Sequence, residues 1–142
     1  MGNNMKIRKA TLQDKNNISE LYYELHPAKR KMLIPIERSK IKSIIFVAEG
    51  KKQIAGFIWA NFIQYGFFKY GCVEELFVKK EFRKRGTATF LIRKAMKEFT
   101  KLRVKVLFVT TEKKNREAIK LYKKLGFKLS RGPWFYWNPR IN

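Results

Sequence analysis

A chain of 142 residues, 45% apolar and 15% aromatic, has the length of one domain and enough hydrophobic material for a packed core, which excludes a disordered chain. Thirty-three Lys and Arg against eleven Asp and Glu give a formal net charge of +22, which attracts anions, yet no block of about five consecutive basic residues marks a tail. One cysteine, Cys72, and one histidine, His26, exclude an intramolecular disulfide and a Cys/His metal cluster; a carboxylate-only site has no spacing signal, so no metal is expected.

The opening MGNNMKIRKA lacks the apolar stretch of a signal peptide, and no apolar run approaches the roughly eighteen residues of a membrane span, so the expected compartment is cytoplasmic, without a membrane partner. Within it, MKIRKA alternates and predicts a first strand. Thr11 then caps a helix whose Ile18, Leu21, Tyr22 and Leu25 recur at helical spacing. Pro27 and Pro35 bracket AKRKMLI, which reads as a second short helix or a loop. IIFVAEG and QIAGFIWANFIQYG predict two strands joined at EGKKQ, and CVEELFV a third after a break at YGFFKYG, together an antiparallel meander.

Ala88, Leu91, Ile92, Ala95, Met96 and Phe99 lie on one face of a helix, with Arg93, Lys94, Lys97 and Glu98 on the other. VKVLFVTT predicts a buried strand, and a further helix carries Ala118, Leu121, Tyr122 and Leu125 on one side before Gly126 stops it. FKL and WFYW, separated by SRGP, predict a closing pair of strands. No internal repeat or linker interrupts this order, and one domain over residues 1–142 is expected.

The junction VEELFVKKEFRKRGTATFLI holds the chemistry. A helix that starts where a strand stops leaves its first N–H groups without intrahelical partners, and with the helix dipole they form an anion site. Gly86 lets a phosphate approach the main chain, Ala88 keeps the next turn small, and Arg83, Lys84 and Arg85 add charge, a combination suited to a pyrophosphate. The turn lacks the GK[ST] of a Walker loop and the G-x-G-x-x-G of a dinucleotide fold. For an isolated glycine, a solvated basic turn with Gly86 as a conformational necessity is the better reading.

Two motifs together resemble the GNAT superfamily of N-acetyltransferases. VKKEFRKRGTATFLI is similar to its R/Q-x-x-G-x-G/A segment, with Arg83, Gly86 and Ala88 at the pattern positions, and NREAIKLYKKLGF to its second segment, with Asn115, Ala118, Tyr122, Gly126 and Phe127 in register. The resemblance covers nearly the whole chain. It implies an α/β (α+β) fold with a central mixed, mostly antiparallel sheet of six to seven strands flanked by about four helices. It also implies direct transfer of an acetyl group from acetyl-CoA (coenzyme A) to a primary amine of a small molecule or a protein.

Carried over residue by residue, the resemblance implies that backbone N–H groups at Phe77 and Val78 serve the thioester carbonyl. Arg83, Lys84, Arg85, Gly86, Thr87, Ala88 and Thr89 would line the pyrophosphate, and Asn115 and Tyr122 the pantetheine arm. Tyr122 is the candidate general acid, set against its reading as a core aromatic. Several members carry an acid at the position of Glu74, acting through water, which makes Glu74 the candidate base. Its neighbour Glu75 competes for that role, since regular alternation sends the two to opposite faces.

The chain departs from members that acetylate ribosomal-protein N-termini, which carry an acid where Thr110 stands. For the acceptor pocket, Tyr22, His26, Trp134, Tyr136 and Trp137 are the candidates, each also readable as packing. A net charge of +22 disfavours polyamines and favours a neutral or acidic amine, or a peptide with acidic flanks. Nonspecific nucleic-acid contact through the basic surface is the other partner expected, and the competing reading is a nucleic-acid- or ribosome-associated binding protein of weak activity. Monomer and homodimer are both compatible with the sequence.

Overall fold

Chain order in the computed structural model, which describes residues 5–27, 32–50, 52–132, 135, 137 and 140, alternates helix and sheet. A 3₁₀ turn (Leu12–Asp14) leads into helix α1 (Lys15–Leu25), followed by strands β1 (Ser39–Gly50), β2 (Gln53–Tyr65) and β3 (Phe68–Val78). A second 3₁₀ turn (Lys80–Phe82), helix α2 (Thr87–Lys101), strand β4 (Val106–Val109) and helix α3 (Arg116–Lys124) complete it. The chain divides into two compact units, Met1–Thr110 and Thr111–Asn142.

In the first unit the sheet order is β1-β2-β3-β4. The three long strands are antiparallel neighbours, while β4 pairs parallel to β3 through Tyr70–Val73 and Val106–Val109. The α+β class and the mixed, mostly antiparallel sheet are as expected. Alternation along β2 buries Gly56, Ile58, Ala60 and Phe62, the register shift between Ala48 and Glu49 buries Ala55 as well, and β3 adds Val73 and Val78. Against them α2 turns Leu91, Ile92, Ala95 and Phe99, four of the six apolar positions read from its periodicity. Burying each larger side chain contributes about 1.5–3 kcal/mol. Gly71 permits this packing: a Cβ there would lie 2.6 Å from the Phe99 ring and 2.7 Å from Leu107.

Four strands form among the described residues, not six to seven, and three α-helices, not four. The predicted first strand is irregular from Met5 to Ala10, with Met5 76% and Ile7 92% exposed. A strand needs a ladder partner as well as alternation, and none reaches this segment. Arg8 instead donates from Nη1 and Nη2 to the Asp14 carboxylate at 2.8 and 2.9 Å, and Asp14 Oδ2 also accepts the Thr11 N–H at 2.8 Å. Thr11 therefore caps the 3₁₀ turn rather than α1 itself.

The closing strand pair is likewise absent among the described residues: Phe127–Ser130 is irregular, Leu129, Phe135 and Trp137 are exposed, and Trp134 and Tyr136 lie outside them. Residues 28–31 also lie outside the described residues, and Met32–Pro35 is loop. Strand β3 starts at Phe68, inside the predicted break, because the hairpin turns at Gly66 and Phe67 alone. Helix α1 exposes Leu21 and Leu25 of its predicted face and buries Ser19, whose Oγ accepts the Ile34 N–H at 2.7 Å.

Candidate active site

Strand β3 carries one residue more than its neighbour. Trp59 faces Glu75 and Ala60 faces Val73, so Glu74 is a bulge with no ladder partner on β2. Gly71 and Val73 are buried before it and Val78 after it, a shift of parity that leaves both Glu74 and Glu75 exposed. The regular alternation predicted for the two acids is thus broken, and neither enters the core. Glu74 Oε1 accepts a hydrogen bond from Asn61 Nδ2 at 3.3 Å. Half-burial pushes the Cys72 thiol up to about 11, helped by the Glu74 charge and by a hydrogen bond to that carboxylate.

Beyond the bulge β3 continues to Val78, five residues past its last pairing with β4 at Val73. The Lys79 N–H donates to Ala55 O at 2.8 Å on the β2 side, so strand alternation turns the N–H and C=O of Val78 toward the edge that β4 leaves open. There the Val78 carbonyl accepts Arg83 Nε at 2.8 Å, and the Arg83 guanidinium lies 5.6 Å from the Phe77 ring centroid. Arg83 therefore folds back onto the strand end instead of standing at the rim.

The turn itself holds two residues in the left-handed region, Lys84 at φ 63° and Gly86 at φ 80°. Gly86 is the N-cap of α2, and the first ladder bond runs from the Phe90 N–H to Gly86 O at 3.0 Å. The amides of Thr87, Ala88 and Thr89 precede that ladder. Thr87 Oγ1 donates to Phe82 O at 3.5 Å, and the Arg85 guanidinium lies 5.9 Å from the Phe82 ring centroid. Three forward amides, a glycine without Cβ and the exposed cations Lys84 and Arg85 fit an anion.

Asn115 and Tyr122 belong to the second unit, where α3 sets them seven residues apart. Asn115 is the N-cap, its Oδ1 accepting the Ala118 N–H at 3.1 Å, which leaves its Nδ2 as the side chain's donor. Tyr122 is buried, its ring edge-on to Phe127 with centroids 5.7 Å apart, and burial raises its hydroxyl pKa above the usual tyrosine value. A tyrosine so placed stays protonated at neutral pH and is able to donate. Arg83 brings Phe77, Val78 and the turn together in the first unit, with Glu74 on the same strand; Asn115 and Tyr122 stand on α3 of the second, about two turns apart.

Of the acceptor candidates, Tyr22 and His26 line a cavity of about 660 Å³ with Tyr23, Ile34, Tyr65 and Phe67, and their rings are 4.9 Å apart. It opens at the hairpin end of β3. At roughly 3.3 Å per residue, the strand's length places it about 33 Å from Val78 along the sheet. Trp137 is 82% exposed. Sequence reading missed Asn61, although a polar residue inside the apolar run of β2 was the available signal.

The acetyltransferase (GNAT) family model matches residues 11–127, across both units. The chain belongs to the GNAT acetyltransferase family. An N-alpha-acetyltransferase of Sulfurisphaera tokodaii is 29% identical over 138 residues, covering 89% of this chain and 82% of that protein. An aminoglycoside acetyltransferase from an uncultured soil metagenomic sample superposes with a TM-score of 0.58 at 27% identity, over 66% of this chain and 64% of the other. A ribosomal-protein-alanine N-acetyltransferase from Brucella melitensis gives a TM-score of 0.59 at 16% identity over 91% and 96%, a likeness of fold alone. Among the described residues of this GNAT chain no helix is long and apolar enough to cross a membrane, and no group of His, Cys, Asp and Glu is placed to hold a metal ion.

Proposed function

We propose that the protein is a single acetyltransferase domain over residues 1–142 that transfers an acetyl group directly from acetyl-CoA to a primary amine. The observation supporting this best is the run from the bulged Glu74, through the open edge at Val78, to the left-handed turn at Gly86 that starts α2. Acetyl-CoA supplies the acetyl group as a thioester. The amides of Thr87, Ala88 and Thr89 bind the pyrophosphate with Lys84, Arg85 and Gly86, while Arg83 braces the turn from Val78 and Phe77. The Val78 N–H is the donor for the thioester carbonyl as charge develops there.

Glu74 removes the amine proton, directly or through one water, so that a neutral nitrogen attacks. Tyr122 gives its proton to the departing thiolate, and Asn115 Nδ2 holds the pantetheine arm. The acceptor class supported by charge is a neutral or acidic amine, or a peptide with acidic flanks. A peptide α-amine, the group named for the Sulfurisphaera relative, has a pKa of about 8 and so keeps a larger neutral fraction at pH 7 than a lysine does. Thr110, exposed just after β4, stands where an acid is expected for ribosomal-protein substrates, which favours other acceptors.

Thermal-shift titration with acetyl-CoA, followed by a free-thiol release screen over amines and acidic-flanked peptides, tests the reading. Stabilisation of about 2.7 kcal/mol is expected at one hundred times Kd; no stabilisation removes the donor assignment. Tyr122→Phe is expected to lower turnover by about 10²-fold or more with acetyl-CoA affinity nearly intact. Unchanged turnover would remove the acid role.

A further inference from the structure

A chain of hydrogen bonds crosses three strands on the sheet face opposite α2. Trp59 Nε1 donates to Ser43 Oγ at 3.2 Å, Ser43 Oγ donates to Asn61 Oδ1 at 2.8 Å, and Asn61 Nδ2 donates to Glu74 Oε1 at 3.3 Å. The direction of each link follows from the groups involved. An indole N–H can only donate, so Ser43 accepts from Trp59 and has its single proton for Asn61. With Oδ1 engaged, the amide cannot turn, and its NH₂ faces Glu74, which must accept. The last partner in such a chain meets a donor whose direction is already fixed.

The register makes the final link. Ser43 stands opposite Asn61 on β1 and β2, and the bulge inserts Glu74 between the ladder positions of Ala60 and Trp59, diagonal to Asn61. The ionisable neighbours of Glu74 on β3 are Cys72 and Glu75; β1 and β2 present the neutral Ser43, Trp59 and Asn61, and β4 places Phe108 opposite Cys72. Asn61 is thus the neutral donor that β2 supplies to this carboxylate.

We propose that Asn61, oriented by Ser43 and Trp59, is a positioning residue that fixes the Glu74 carboxylate at the β3 bulge, ready to act as the base. This rests on the reading of Glu74 as base, but the placement of Glu74 is testable without activity. As the sole cysteine, Cys72 is a native reporter, because the Glu74 carboxylate beside it helps to hold its thiol protonated.

The full chain is compared with Asn61→Leu, Asn61→Asp, Ser43→Ala, Ser43→Thr, Glu74→Gln and the Asn61→Leu/Glu74→Gln double variant. The first readout is the pH midpoint of Cys72 reaction with a disulfide reagent. Glu74→Gln is expected to lower it, and Asn61→Leu, by releasing the carboxylate, to lower it by a smaller step. Because Asn61 stands opposite Cys72 on β2, an Asn61→Leu midpoint change that is the same in the Glu74→Gln background overturns the proposal, whether or not any amine is turned over. The second readout is the pH dependence of acetyl transfer. Loss of the donor is expected to move the acid limb of kcat/KM to higher pH in Asn61→Leu and further in Asn61→Asp, where a like charge is added, with KM for acetyl-CoA unchanged.

Ser43→Ala is expected to give part of that shift and Ser43→Thr to restore the parent profile. In the Glu74→Gln background the Asn61 substitution should change kcat by less than about 2-fold. Independent losses, or an unmoved acid limb in an active enzyme, would rule the positioning role out. A Cys72 midpoint that responds to Asn61 only while Glu74 is present, in an enzyme whose turnover ignores Glu74→Gln, would retain the placement and reject Glu74 as base.

Discussion

Gly86 holds φ 80° with ordinary space around it, since a Cβ there would meet nothing nearer than Phe90 Cε2 at 3.7 Å. Gly86→Ala is therefore expected to cost about 1–2 kcal/mol of stability through backbone conformation, not collision, and to weaken acetyl-CoA stabilisation by turning the α2 amides away. Thermal melts with and without acetyl-CoA measure both; an unchanged melt would show the left-handed turn to be dispensable. Cys72 gives a pH prediction with a definite sign. Its thiol, pushed up to about 11 chiefly by burial, stays protonated between pH 9 and 11 while the unfolded chain ionises. Its stabilising effect is complete below pH 9 and is lost as pH rises through 11. Urea unfolding of the parent and Cys72→Ser over that range checks this: the parent should fall more steeply, and parallel curves would remove the linkage.

The helix that packs the sheet was the most readable element because its partners are encoded by period alone. Leu91, Ile92, Ala95 and Phe99 are buried as their spacing predicts, and Ile92 is fully buried. Ile92→Ala is expected to destabilise by about 2–5 kcal/mol in denaturant titration, with no loss beyond that when acetyl-CoA saturates. A cost below about 1 kcal/mol would contradict the packing described. Strands at the two ends of the chain were misread for a related reason. Alternation describes which face a residue takes, while a strand exists only where another backbone meets its N–H and C=O groups. MKIRKA has the alternation and leaves Ile7 92% exposed. The bulge at Glu74 was likewise invisible, since it is a mismatch between two strands 14 or 15 residues apart in sequence and no residue type announces it.

Across the whole molecule the excess of cations is the dominant field. Thirty-three basic residues on 142 repel one another in the folded state, so raising salt from about 0.05 to 0.5 M should raise the melting temperature as screening lengths shrink. Over the same range RNA binding should fall by about 10³-fold or more, since contact of this kind depends on released counterions. A salt-insensitive RNA affinity would instead reveal a specific site. Family membership rests on residues 11–127, across both compact units, so the donor turn of one and the Asn115–Tyr122 pair of the other are parts of one match.

The sequence by itself determined the family, the glycine turn and the helix that follows it, because these are local: a glycine at the strand-to-helix junction, three free amides and a 3.6-residue period need no distant partner. The tertiary structure decided what depends on register. It made Glu74 the bulged acid, left the edge at Val78 open where β4 stops, and folded Arg83 back onto the strand. It also brought Asn61 to the Glu74 carboxylate, a contact that exists only because two strands pair with one residue to spare.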